Sequence, residues 1–453
     1  MPYTKIPNTN AQYALISFDE KGAERTGDIG ATPGALFSAQ VLADAKANPP
    51  TDIFLFSHGW KGDLISAVDQ YNRWIGAMLN LPADVAKMGA GFRPLWIGLH
   101  WPSLPMGQEK FGTGGGSFSD VAGDPDSIKN EALKQFGDTP TIRKCLDVIF
   151  TEQENNAATL VMPQPVIDAY QTLAHEIGYK AEGPQGPPDA DGKAFDPAAA
   201  FEAFGEAGDF SGVGDFFGKL LSPLAQLSYW QMKYRARSIG EGGMHAFVAS
   251  LQQALPADKT KIHLIGHSFG CIVVSSILGG PNGKTPLPRQ VDSLVLAQGA
   301  LSLWAYGDHV KDADGKPGYY NAAFRQPAVR GPIVTTRSAN DSAVGSFYPL
   351  ASALVPIDAG QFGLDDDLTP ANLPLFGGLG AFGIRSLKNV TDLKMLPSTV
   401  DYSFKPGVIY NLKGDEFIPD HNGIDNAAVA HALWQTAFWS KEGASGQAAT
   451  SGH

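Results

Sequence analysis

Six short, nearly uninterrupted apolar strings recur along the 453 residues, and they restrict the fold more than any other feature of the chain. They are Asp52–Ser57 (DIFLFS), Pro94–Trp101 (PLWIGLHW), Lys261–Gly266 (KIHLIG), Val291–Gln298 (VDSLVLAQ), Pro332–Thr336 (PIVTT) and Gly407–Leu412 (GVIYNL). A strand with one wet face alternates polar and apolar residues. A string without that alternation is buried on both faces, as in a parallel sheet covered by helices. Helical spacing lies between the strings. Ser66–Leu79 sets Val68, Tyr71, Trp74, Ile75 and Met78 at three-and-four intervals behind Ser66 as N-cap. Phe269–Leu278, Ser342–Leu354 and Ile424–Phe438 supply further helices, and Leu224–Leu255 reads as a crossover helix interrupted at Gly242-Gly243. Tyr13–Phe18 adds an earlier strand, expected at the sheet edge and antiparallel. The expected fold class is α/β, a doubly wound, mostly parallel sheet.

Three stretches fall outside this repeat: 104–228, 303–331 and 361–403. The first also holds nearly all of the charge imbalance. The chain carries a net charge of −12, and Leu104–Ser228, with 19 acidic and 8 basic residues, accounts for −11 of it. We therefore expect 1–103 and 229–440 to be the two halves of one core and 104–228 to be a large acidic cap inserted between them. The stretches 303–331 and 361–403 would be rim loops, and 441–453 a flexible tail. The 52 glycines and 32 prolines cluster partly in the cap and rim, where long functional loops concentrate.

Composition removes several function classes. A chain this acidic gains little from phosphate counterion release, so nucleic acid is not an expected partner. No apolar run is long enough for a membrane span, and the N-terminus lacks a basic segment followed by an apolar one, so a cytoplasmic location is expected. Two cysteines, Cys145 and Cys271, exclude a disulfide framework and a Cys-rich metal site. The DADG sequences at Asp189–Gly192 and Asp312–Gly315 lack the remaining ligands of a calcium loop. The GTGGG run at Gly112–Gly116 lacks the Lys of a phosphate loop and reads as linker. No cofactor or metal is expected.

The pentapeptide Gly266-His267-Ser268-Phe269-Gly270 fits G-x-S-x-G. It closes the string KIHLIG and opens the helix FGCIVVSSIL, the strand–turn–helix setting that lifts a serine out of a tight turn. A helix N-terminus behind the serine offers N–H groups and a positive dipole end to developing negative charge. Cys271 lies on the same helix and reads as a small buried residue.

On this motif, with SHGW at 57–60 and HWPS at 100–103 before it, the chain resembles the α/β-hydrolase superfamily of serine hydrolases, esterase- or lipase-like members in particular. The resemblance covers 52–101 and roughly 229–433, about half to three-fifths of the chain; the 104–228 insertion has no counterpart. It implies a nucleophile, Ser268, followed in chain order by an acid and a histidine base. His421, in the loop Pro419-Asp420-His421-Asn422-Gly423 before the last helix, stands where the superfamily base would reach the serine. His431 falls within that helix, and His453 ends a polar tail. For the acid, Asp341 lies five residues beyond the string PIVTT. Its other reading is a helix cap, and Asp415, Glu416 and Asp308 are alternatives. The oxyanion hole would take N–H groups from Phe269 and from Trp60, the residue after His58-Gly59, with His58 otherwise a structural loop residue. Trp60, Trp101, Trp304 and Tyr306 are expected to line a substrate cleft, or else to pack in the core.

The expected activity is cleavage of a carboxylic ester through an acyl-enzyme. The substrate would be a small molecule, neutral and apolar or aromatic, since an acidic cap disfavours anions. An amidase or peptidase, an acyltransferase and a non-catalytic binding module on the same fold remain open, and the oligomeric state is not legible.

Overall fold

The computed structural model describes residues 3–26, 34–59, 64–103, 125–155, 161–179, 195–206, 215–310, 316–325, 328–341, 344, 373–375 and 377–446. One nine-stranded sheet runs through it in the order β1-β2-β4-β3-β5-β6-β7-β9-β8. The strands are β1 (Tyr3–Lys5), β2 (Gln12–Ser17), β3 (Asp52–Ser57), β4 (Pro94–His100), β5 (Lys261–His267), β6 (Ser293–Ala297), β7 (Ile333–Arg337), β8 (Val390–Lys394) and β9 (Ile409–Lys413). All six apolar strings of the sequence are therefore strands. Every pairing is parallel except β1 with β2.

Apolar clusters cover both faces of the sheet, as expected for strings that do not alternate. On one face lie α1 (Phe37–Ala47), the latter part of α8 (Asp215–Ile239), α9 (His245–Ala254) and α10 (Gly270–Gly279). On the other lie α2 (Leu64–Leu79), α3 (Pro82–Lys87) and the C-terminal helix Ala427–Gly446. Helix α2 buries Ala67, Tyr71, Trp74, Ile75 and Met78, so its apolar stripe faces the sheet. It begins two residues before Ser66, which is an interior residue and not the cap. Asn426 caps the C-terminal helix: its Oδ1 accepts the Ala428 and Val429 N–H groups at 3.0 and 3.1 Å.

Two expectations need correction. The strand expected over Tyr13–Phe18 as an antiparallel edge is internal, because β2 runs parallel to β4. The edge is β1, which reaches its antiparallel place through a tight turn where Asn8 takes φ 58°. The stretch 361–403 is also more than loop, since β8 closes the far edge. Its sequence, VTDLK, is mostly exposed and carries two charges, a composition that discourages further pairing and hides the strand from an apolar search.

A large helical insertion separates β4 from β5. It comprises α4 (Pro125–Phe136), α5 (Pro140–Asn155), α6 (Gln164–Glu176), α7 (Pro197–Glu206) and the start of α8. These helices share an apolar cluster that includes Leu146, Tyr170, Leu173 and Leu224. Helix α8 runs unbroken past residue 228, and the crossover is interrupted at a π-helical turn, Gly240–Met244. Cys145 and Cys271 are both free and buried. No described helix is long and apolar enough to cross a membrane. The two DADG sequences, the GTGGG run, His453 and all of the 342–354 helix except Val344 lie outside the described residues.

Candidate functional site

Segments following six neighbouring strands, β4, β3, β5, β6, β7 and β9, meet at the C-terminal edge of the sheet, the usual location of ligand sites in doubly wound folds. At its centre, β5 ends at His267 and α10 begins at Gly270. Ser268 bridges them at φ 55°, a left-handed conformation that costs a non-glycine residue roughly 1 kcal/mol or more. The turn holds because its neighbours are small. A Cβ on Gly266 would fall 2.6 Å from the Gly270 carbonyl oxygen, and one on Gly270 would fall 2.6 Å from that of His58. The Ser268 N–H donates to Ala297 O at 3.1 Å, tying the turn to β6. Ser268 itself is 4% exposed.

Gly59 lies against the serine. A Cβ there would stand 2.5 Å from Ser268 Cβ and 3.1 Å from its Oγ, so only glycine lets the β3 loop approach this closely. The loop is set by His58. Its Nε2 accepts the Trp101 N–H at 3.3 Å, so the proton sits on Nδ1 and is donated to Gly59 O at 2.8 Å. Burial first, and then the nearby charge of His100, push the His58 pKa down to about 3, keeping the ring neutral. Trp101 stacks on this imidazole at 5.5 Å and donates its indole N–H to His58 O.

Asp341 follows β7 and is fully buried. Its Oδ2 lies 2.8 Å from His421 Nδ1 and accepts Gln298 Nε2 at 2.8 Å, while Oδ1 accepts the Val344 N–H at 3.0 Å. Burial pushes its pKa up, but His421 and these donors outweigh that and hold the carboxyl below its ordinary value. An ionised carboxylate only accepts, so the imidazole proton is placed on Nδ1 and the Nε2 lone pair is left open. The Val344 bond shows that Asp341 also serves the following backbone, as its capping reading expected.

Of the competing histidines, His431 has both ring nitrogens occupied, Nδ1 with Asp84 at 2.7 Å and Nε2 with Val400 O at 3.0 Å. Asp84, Asp401 and His431 are close enough to share a cation, but the Lys87 ammonium already lies 2.5 Å from Asp401 and 3.6 Å from Asp84. Asp415 accepts the Ala339 N–H at 3.0 Å and so braces the Asp341 loop from outside. Asp308 accepts Asn321 Nδ2 at 3.0 Å.

Phe269 takes the N-cap position of α10, and its ring meets Tyr229 of α8 edge-on at 5.0 Å. Trp60 lies outside the described residues. Trp101, Trp304 and Tyr306 are all but closed to solvent. Trp304 donates its indole N–H to Leu375 O at 3.0 Å, and the Tyr306 hydroxyl bonds to Ser275 within the core beneath α10.

Ser268 Oγ and His421 Nε2 share no hydrogen bond here, although the two residues are linked through His267. Contacts of this kind commonly tighten only around substrate. Sequence reasoning missed Gln298, Gln70 and the contacts of His267. The only signals were a polar residue ending an apolar string and a histidine inside the serine motif.

The fold places the chain in a broad class, α/β proteins with a mixed, mostly parallel sheet and flanking helices. No protein-family model, curated protein or solved structure matches it at a significant level.

Proposed function

We propose that the chain is a serine hydrolase of the α/β-hydrolase type that cleaves a carboxylic ester. The observation that carries this reading is the contact at 2.8 Å between buried Asp341 and half-buried His421, set beside a serine at φ 55° in a strand–turn–helix. Ser268 Oγ attacks the ester carbonyl carbon and passes its proton to His421 Nε2. Asp341 holds the imidazole tautomer and then stabilises the imidazolium. The carbonyl oxygen, now negative, rests on the N–H groups of Phe269 and Trp60. His421 returns the proton to the departing alcohol, leaving an acyl-Ser268. Water then gives a proton to His421 and its oxygen to the acyl carbon, which releases the acid and restores Ser268.

On this reading 104–228 is a cap, Trp60 walls the acyl site, and Trp101, Trp304 and Tyr306 shape the cleft from behind. The acidic insertion favours neutral apolar or aromatic esters over anionic ones. A fluorophosphonate probe is expected to label the chain at Ser268, with p-nitrophenyl esters turned over and amide analogues much slower. Labelling elsewhere, or no labelling in folded protein, would overturn the proposal.

A further inference from the structure

His267 stands between Gly266 and Ser268 and is nearly enclosed. Its Nε2 lies 2.8 Å from the backbone carbonyl oxygen of His421. A carbonyl oxygen only accepts, so His267 carries its proton on Nε2 and presents a lone pair at Nδ1. Gln70 Nε2, on α2, meets that lone pair at 3.0 Å. The two imidazoles lie 4.9 Å apart, and Trp74 packs edge-on against His267. Burial, followed by the charge of His421, pushes the His267 pKa down to about 3, so one tautomer persists across the neutral range.

The loop that bears His421 is tied elsewhere to other elements. Ser338 Oγ and Asn340 Nδ2 donate to Ile418 O at 2.9 and 3.2 Å from the Asp341 side. Asn426 Nδ2 donates to Gly423 O at 2.9 Å from the C-terminal helix. Neither tie involves the strand that carries the serine. Among the described residues, the bond from His267 is the polar link between His421 and that strand.

We propose that Gln70 and His267 form a buried positioning relay that fixes the His421 backbone against the end of β5, setting the distance from base to nucleophile. This rests on the serine-hydrolase reading and refines it. Neither residue touches substrate. Their effect is geometric, and a displacement of a reacting group by 1 Å can cost about 10²-fold in rate.

The test compares His267→Phe, His267→Gln and Gln70→Leu with the native chain. Phenylalanine keeps a ring but removes both bonds; the glutamine amide can still donate to His421 O. We expect His267→Phe to lower kcat on p-nitrophenyl esters by about 10- to 100-fold with KM within about twofold. His267→Gln should recover most of the rate, and Gln70→Leu should lose less than His267→Phe. Proton NMR of the full chain gives a readout that needs no turnover. A downfield His421 Nδ1–H resonance, expected sharp in the native chain, should broaden in His267→Phe and sharpen again in His267→Gln. If His267→Phe does not fold, Gln70→Leu carries both comparisons. An unchanged resonance and unchanged kcat in the loss variants would overturn the relay. Absence of probe labelling in the native chain would instead overturn the hydrolase reading, leaving the NMR comparison to decide the relay.

Discussion

The same sheet holds two clusters of serine, histidine and aspartate, and the proposed function gives chemistry to only one. Toward the N-terminal ends of the strands, His263 Nδ1 meets Ser293 Oγ at 2.8 Å and its Nε2 meets Asp52 at 3.3 Å. His263 and Ser293 are register partners on β5 and β6, and Phe54 of β3 stacks on the imidazole at 4.6 Å. All three polar residues are closed to solvent. At the C-terminal edge, Ser268, His421 and Asp341 come from three different loops. Ser268 sits in a strained turn at the start of a helix, and the His421 side chain keeps 18% of its exposure. The inner serine has an ordinary strand backbone and its neighbours fill the space around it. Residue types and a histidine–aspartate contact are thus common to both clusters, while the serine–histidine bond belongs to the inner one alone. Backbone strain, a helix N-terminus and a half-buried histidine belong to the other.

Replacing each serine by alanine is the severest test of that contrast. Ser268→Ala should remove probe labelling and lower kcat by about 10⁶-fold, as loss of a nucleophile does where the triad acts as a unit. Ser293→Ala should leave kcat within about twofold and cost about 1 kcal/mol in stability, the net worth of one buried hydrogen bond. Esterase activity that survives Ser268→Ala, or is lost in Ser293→Ala at full folding, would erase the distinction.

The aspartates divide the same way. Asp341→Asn can donate to the imidazole and so admits the wrong tautomer, for which we expect a loss of about 10⁴-fold in kcat at little cost in binding. Asp52→Asn should leave kcat nearly unchanged and lower stability by about 1–3 kcal/mol, since it alters a buried acceptor. Thermal melts beside ester kinetics separate the two effects.

The edge cluster was the more legible of the two. Ser268, His421 and Asp341 occupy loops that follow apolar strings, and a strand followed by a loop residue is a one-dimensional pattern. The inner cluster depends on register between strands far apart in the chain, which no local spacing reveals. Gln298 shows the same limit. It ends an apolar string, and only the pairing of β6 with β7 brings it to Asp341. Likewise β8 was hidden because an exposed edge strand has no reason to be apolar.

Acidification should weaken the fold around this edge. Unfolded histidines take up protons below about pH 6.5. Folded His58 and His267 do so only near pH 3, so the unfolded chain binds more protons in between. Stability therefore rises with pH through that window, by up to about 1.4 kcal/mol per pH unit for each histidine, and flattens above it. The depressed Asp341 adds the same sign below about pH 4, where the unfolded carboxylate protonates first. Melting temperature should fall steadily from pH 6.5 to 4, and less steeply in His267→Phe. A flat profile would mean that these rings are hydrated and charged in the folded chain.

The smallest expected effect lies one bond behind the edge cluster. Gln298 is enclosed at φ 46°, a second strained non-glycine residue at a strand end beside Ser268. Its Oε1 accepts the Thr336 hydroxyl at 2.8 Å, which orients its amide toward Asp341. Gln298→Leu removes a donor from the Oδ2 oxygen that also faces His421, so the carboxylate should protonate at higher pH and hold the imidazole less firmly. A loss of about tenfold in kcat is expected, roughly the worth of one hydrogen bond to a charged group, with KM unchanged. Thr336→Val, which removes only the orienting hydroxyl, should fall between native and Gln298→Leu. If both variants lower stability but leave kcat and its pH profile intact, Gln298 belongs with His263 as a core polar residue. The boundary between the two regions would then run between Asp341 and the end of β6.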